Sequence, residues 1–140
     1  MRDFTYPVRL EAEADGGFVV HVRDFGGATQ ARDRAAALQA AEDYIGTWID
    51  MLVEMGRDVP VPSDAEPGEL LVAAPIDAAT VALLHQALRE HSVTRVELAR
   101  RMGKDEKEVR RMLDPRHGTK LATFRAAFRA LGVRPEIRAA

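Results

Sequence analysis

The hydrophobic pattern of this chain changes period at Pro75. Before it, two short alternating segments precede one long helical stripe. After it, every apolar series recurs at three or four residues. Phe4, Tyr6, Val8, Leu10 and Ala12 alternate with Thr5, Pro7, Arg9, Glu11 and Glu13, which predicts a half-buried strand. Pro7 lacks a backbone donor, so this strand is expected to lie at an edge there, or to bulge. Asp15-Gly16-Gly17 supplies hairpin chemistry, and Phe18, Val20 and Val22 resume the alternation. A short strand is expected from about Ala28 to Ala31. From about Asp33 to Met55 the period predicts a helix capped by Asp33. Its apolar stripe is Leu38, Ala41, Ile45, Trp48, Ile49 and Leu52. Gly56 ends it, residues 57–68 are Pro-rich and extended, and residues 69–74 form one more strand. The order β-β-β-α-β predicts a small sheet with one face covered by one helix.

Residues 76–140 read as four short helices. Asp77 is expected to cap the first, through Val81, Leu84 and Leu88. Thr94-Arg-Val-Glu97 and Asp105-Glu-Lys-Glu108 have capping-box spacing and open the next two, ending near Met102 and Leu113. Thr119 is expected to cap the last, which Gly132 ends. The fold class is therefore α+β: a β-β-β-α-β domain over 1–75 and an all-α domain over 76–140.

Charge follows the same division. Residues 1–75 hold six Arg/Lys against fourteen Asp/Glu, a net charge of −8, and residues 76–140 hold fourteen against eight, a net +6. Opposite signs on two halves point to two partners of opposite charge. The absence of cysteine removes disulfides and thiolate chemistry. Met1-Arg2-Asp3-Phe4 opens with no apolar signal segment, and no apolar run reaches membrane-spanning length. A cytoplasmic location is the expectation.

In the basic half, Ala99 stands four residues before Gly103, the spacing that lets two helices of a helix-turn-helix cross closely through a left-handed joint. Val109 and Met112 would lock the second helix onto the first. Glu106, Lys107, Arg110 and Arg111 are then left on its outer face. A helix of this kind fits the major groove, where Arg reads guanine bidentately. Lys104, Arg116 and Lys120 flank it as expected phosphate contacts, with the start of the last helix, at Thr119 and Lys120, as a further one. Double-stranded DNA is the expected partner, bound by a homo-dimer or tetramer. The acidic half shows no nucleophile–base pair, P-loop or dinucleotide fingerprint. No catalytic residue, metal or cofactor is expected.

The series Tyr6-Pro7-Val8, Asp15-Gly16-Gly17-Phe18, Thr29 to Asp33, the long helix, and Gly56-Arg-Asp-Val-Pro60-Val-Pro62-Ser63 resembles the HicB antitoxin family over about residues 4–74. The tail after Ile76 resembles the helix-turn-helix version of that family, a Cro/C1-like bundle. The resemblance implies a partial ribonuclease-H-like domain without nuclease activity. It also implies a partner, HicA, a small basic toxin that cleaves mRNA with a histidine, and repression of the shared operon. It places the toxin contacts on Asp15, Phe18, His21, Arg23, Asp24 and Phe25. The chain departs from the family's P-D-L-P-G at Arg23-Asp24-Phe25-Gly26-Gly27, and from its glycine-containing turn at Gln30-Ala31-Arg32. Two other readings stay open. One is a solitary DNA-binding regulator whose acidic domain serves oligomerisation or a small ligand. The other is a ribonuclease-H-like nuclease drawing on carboxylates such as Asp43 and Asp50.

Overall fold

A computed structural model describes residues 3–140. Met1 and Arg2, half of the opening run read above for a signal segment, lie outside the described residues. Four strands and one helix come first: β1 (Thr5–Ala12), β2 (Phe18–Val22), a single 3₁₀ turn (Arg23–Phe25), β3 (Gly27–Ala31), α1 (Arg34–Glu54) and β4 (Leu70–Ala73). Four helices follow: α2 (Ile76–Glu90), α3 (Arg95–Met102), α4 (Glu106–Met112) and α5 (Leu121–Leu131).

The sheet is antiparallel throughout, in the order β3-β2-β1-β4. The first strand is thus interior, not an edge, which corrects the expectation drawn from Pro7. The ladder explains how proline is tolerated there. The Ala74 N–H donates to the Phe4 carbonyl, and β4 pairs Tyr6 with Val72 and Pro7 with Leu71. Antiparallel residues alternate which neighbour they bond, so Pro7 turns its backbone nitrogen away from β4. On that other side the β1–β2 register begins only at Val8↔Val22, because β2 has already turned off into the 3₁₀ segment. No ladder bond is lost.

One helix covers one face of the sheet, as expected, but its buried line differs from the predicted stripe. Ala37, Ala41, Ile45, Ile49 and Val53 are buried, whereas Leu38 is 38% exposed and Trp48 and Leu52 are half-buried. A spacing of four overshoots the 3.6-residue turn, so the buried line winds around α1. A helix laid across a twisted sheet needs that winding. Facing it are Tyr6, Val8, Val20 and Val22, all fully buried. Asp33 caps α1 by accepting from the Ala36 N–H at 2.8 Å.

Residues 57–69 cross the molecule without regular structure, pinned at three points. Tyr6 Oη donates to the Pro60 carbonyl at 2.9 Å. Asp24 accepts from the Ser63 N–H and Oγ at 2.8 and 2.7 Å. Arg23 donates to Glu69 at 3.0 and 2.8 Å and to the Asp64 carbonyl at 3.0 Å.

The second half docks directly on the first. Buried residues from both halves form one continuous apolar cluster. The half-exposed segment after α1 is held by α2: His85 Nε2 donates to the Arg57 carbonyl at 2.8 Å, and Gln86 donates to the Val59 carbonyl at 3.1 Å. A carbonyl only accepts, so the His85 Nε2 carries the proton. Burial depresses the pKa of this imidazole and favours the neutral form. Two expected caps are corrected. Pro75, not Asp77, holds the N-cap position of α2. Asp77 lies in the first turn and accepts from the Ala78 N–H. Lys120, not Thr119, holds that of α5, without a side-chain cap.

Candidate nucleic-acid interface and partner-binding face

Local chemistry builds the α3–α4 pair. Thr94 accepts from the Glu97 N–H and Asp105 from the Glu108 N–H, each at 3.1 Å. Gly103 joins the two helices at φ +68°, a conformation that costs glycine little. Leu98, Ala99, Val109 and Met112 are buried between them and α5. With positions 109 and 112 turned inward, Lys107, Arg110 and Arg111 are left exposed on the outer face of α4. Arg110 lies 3.8 Å from Glu106, a loose pair one turn away. Among the described residues Lys107, Arg111 and Lys120 have no ion pair.

The flanking groups are placed differently. Lys104 stands 3.8 Å from Glu108. Arg116 reaches back to Glu54 at the end of α1 and also meets Asp114 at 3.3 Å. These contacts raise its already high pKa. Thr119 turns its Oγ1 inward, where it is buried without a hydrogen-bond partner among the described residues. On α3, Glu97 is taken up by Arg100 and Arg101 and held down at about 2 by those guanidiniums. Two more cations thereby share one carboxylate.

The residues expected to meet a protein partner fall into two groups. Asp15 lies at the exposed hairpin tip, where its carboxylate accepts from the Gly17 N–H, and Phe18 is half-buried in β2. His21, on the sheet face away from α1, meets Glu11 at 2.7 Å. Arg23, Asp24 and Phe25 come together beneath residues 60–69. There Arg23 holds Glu69 down at about 2, and Phe25 is buried against Tyr6 with ring centroids 4.8 Å apart. Sequence reasoning did not find this clamp, because its partners stand 39 to 46 positions apart.

Asp50 is the most perturbed carboxylate of α1. Burial first, then the nearby Asp77 and Glu54, push it up to about 6, and its Oδ1 is buried without a hydrogen-bond partner among the described residues. Asp43 accepts from Gln39 at 3.0 Å, one turn earlier on the same helix. Among the described residues, no three His, Cys, Asp or Glu side chains converge in a way that could hold a metal ion. No helix among them is long and apolar enough to cross a membrane.

A family model described as the HicB-like antitoxin of bacterial toxin–antitoxin systems matches residues 5–82, from β1 into the middle of α2. The chain belongs to the HicB-like antitoxin family. Relatives named as HicB antitoxins align along nearly the whole chain. The Escherichia coli K12 antitoxin HicB is 34% identical over 128 residues, 91% of this chain and 93% of the relative. Antitoxin HicB 1 of Photorhabdus laumondii is 34% identical over 133 residues, 94% of this chain and 84% of the relative. HicB 2 of the same organism is 32% identical over 137 residues, 97% and 96%. The HicB family model therefore spans the sheet, α1 and the start of α2, and the HicB relatives extend the match through α3, α4 and α5.

Proposed function

We propose that this chain neutralises a HicA-type mRNA-cleaving toxin and represses its own operon by binding operator DNA as a dimer or tetramer. The toxin is held by the sheet domain, residues 1–75, and the DNA by residues 76–140, a helix-turn-helix of Cro/C1 type. The observation that carries the DNA half is the outer face of α4. Its three basic side chains project together from a short helix whose opposite side is locked by Val109 and Met112. A cation without a carboxylate partner is available to a base edge or a phosphate without first breaking a contact. Lys107, Arg111 and Lys120 meet that condition. The toxin half rests on family membership and on the net charge of −8 over residues 1–75, which suits a cationic protein.

Operator titrations at several salt concentrations test the DNA half. Arg110→Ala and Arg111→Ala are expected to weaken binding and relax base preference, at about 1–3 kcal/mol for each bidentate base contact. Lys120→Ala is expected to weaken binding to all sequences alike and to lower the salt slope by about one. Equal affinity of the parent and all three variants for duplex DNA would remove the recognition-helix assignment. Co-purification with a HicA-type toxin, and rescue of growth from it, test the other half.

A further inference from the structure

Most of the polar groups at the expected toxin contacts are already engaged within the chain. Arg23 is engaged by Glu69, Asp24 by Ser63 and His21 by Glu11, and Phe25 is buried. The flank of α1 over β3 is different. Tyr44, Trp48, Met51 and Met55 follow one another at helical spacing and form an apolar ridge along its C-terminal half. Met51 and Met55 are 37% and 55% exposed. Tyr44 and Trp48 are half-buried, with ring centroids 6.3 Å apart. Beside the ridge opens a cleft of about 560 Å³ floored by Phe25, Trp48 and Leu52.

Charge selects the occupant. Along the other flank of the ridge run Asp43, Asp50 and Glu54, and α1 holds no Lys or Arg after Arg34. Glu54 is shared with Arg116 and Asp50 is half-covered by α2, which leaves Asp43 as the exposed carboxylate of this flank without an ion pair among the described residues. Two further cations border the cleft. Arg89, on the far wall of the cleft, is neutralised by Asp58 at 2.7 Å. Arg57 also lines that wall. The ridge flank itself is anionic.

We propose that this ridge and cleft are the docking surface for the cationic toxin. The partner inserts an apolar side chain over Trp48 and sets a basic group against Asp43. The proposal rests on the antitoxin reading and names the surface that serves it. Trp and Met are the residue types that concentrate binding energy in interface cores, Met because its flexible thioether adapts to a partner's shape. A flanking row of opposite charge steers the approach and fixes orientation.

The test uses the full chain and a HicA-type toxin from the same genome, with its catalytic histidine replaced. Affinity is measured by calorimetry at two salt concentrations. The double variant Met51→Lys/Met55→Lys changes exposed positions and is checked by circular dichroism for an unchanged fold. It is expected to weaken binding at least tenfold. Asp15→Lys at the hairpin tip is expected to change it less than threefold. If Asp15→Lys weakens binding and the methionine variant does not, the surface is wrong while the antitoxin reading stands. If the parent does not bind at all, the antitoxin reading itself fails and the proposal with it. Light scattering of the chain alone closes the remaining route. A homo-oligomer dispersed by the methionine variant would assign the ridge to a second copy and overturn the proposal.

Discussion

At the scale of single residues, Asp50 and Arg116 show what one-dimensional reading misses. Asp50 sits on the wet side of the predicted stripe, yet α2 arrives over it and leaves one carboxylate oxygen buried without a partner. Its pKa near 6 lies above the usual carboxylate value near 4. The folded state therefore holds the proton more tightly than the unfolded chain. Stability falls as pH rises from about 4 to 6 and stays at the lower level above that. Asp50→Asn is expected to raise stability at pH 7.5 by about 1 kcal/mol, after discounting for the solvent that still reaches the group. It should also flatten the slope between pH 4 and 6. Chemical denaturation across that range checks both. Arg116 was expected to face phosphate, and instead meets Glu54 of α1. A DNA phosphate must compete with that carboxylate. Glu54→Gln is expected to raise affinity for duplex DNA two- to fivefold at low salt, an effect lost in the Arg116→Ala background. The modest size follows from the exposure of both side chains.

At the scale of elements, what the sequence revealed depends on how local each signal was. Helix ends written in neighbouring residues were legible. Asp33, Thr94 and Asp105 cap as expected, and Gly56, Gly103 and Gly132 end their helices at positive φ. Caps that depended on the approach of another segment were not, as Asp77 and Thr119 show. The winding of the buried line on α1 was invisible too, because the twist it follows belongs to the sheet. Gly46 makes the same point. An added Cβ there would stand 2.8 Å from the Pro75 ring, where α1 and the entry to α2 touch. Gly46→Ala is expected to lower stability by about 1 kcal/mol or more, although alanine favours a helix interior by nearly that amount. Thermal unfolding of the purified variant gives the sign. Gly103→Ala, by contrast, meets no neighbour. It is expected to cost about 1 kcal/mol through backbone conformation alone.

For the whole molecule, the division at Pro75 marks a change of pattern and charge, while packing runs across it. α2 lies on α1, and His85 and Gln86 hold the chain at Arg57 and Val59. A chain truncated after Pro75 is expected to unfold at clearly lower urea than one truncated after His91, with broader melting, because the first loses the cover over Val53 and Val59. Urea titrations of the two fragments decide it. The sequence by itself determined the elements, their order, the charge of each half and the family, since period, capping and turn chemistry act over a few residues and leave their mark locally. Only the tertiary structure decided that β1 is interior and that residues 57–69 are clamped by Arg23 and Asp24. It alone decided which carboxylate loses its water and which side of α1 stays open. Those outcomes depend on groups far apart in the chain meeting at one point, and the energy of such a meeting is written in no single segment.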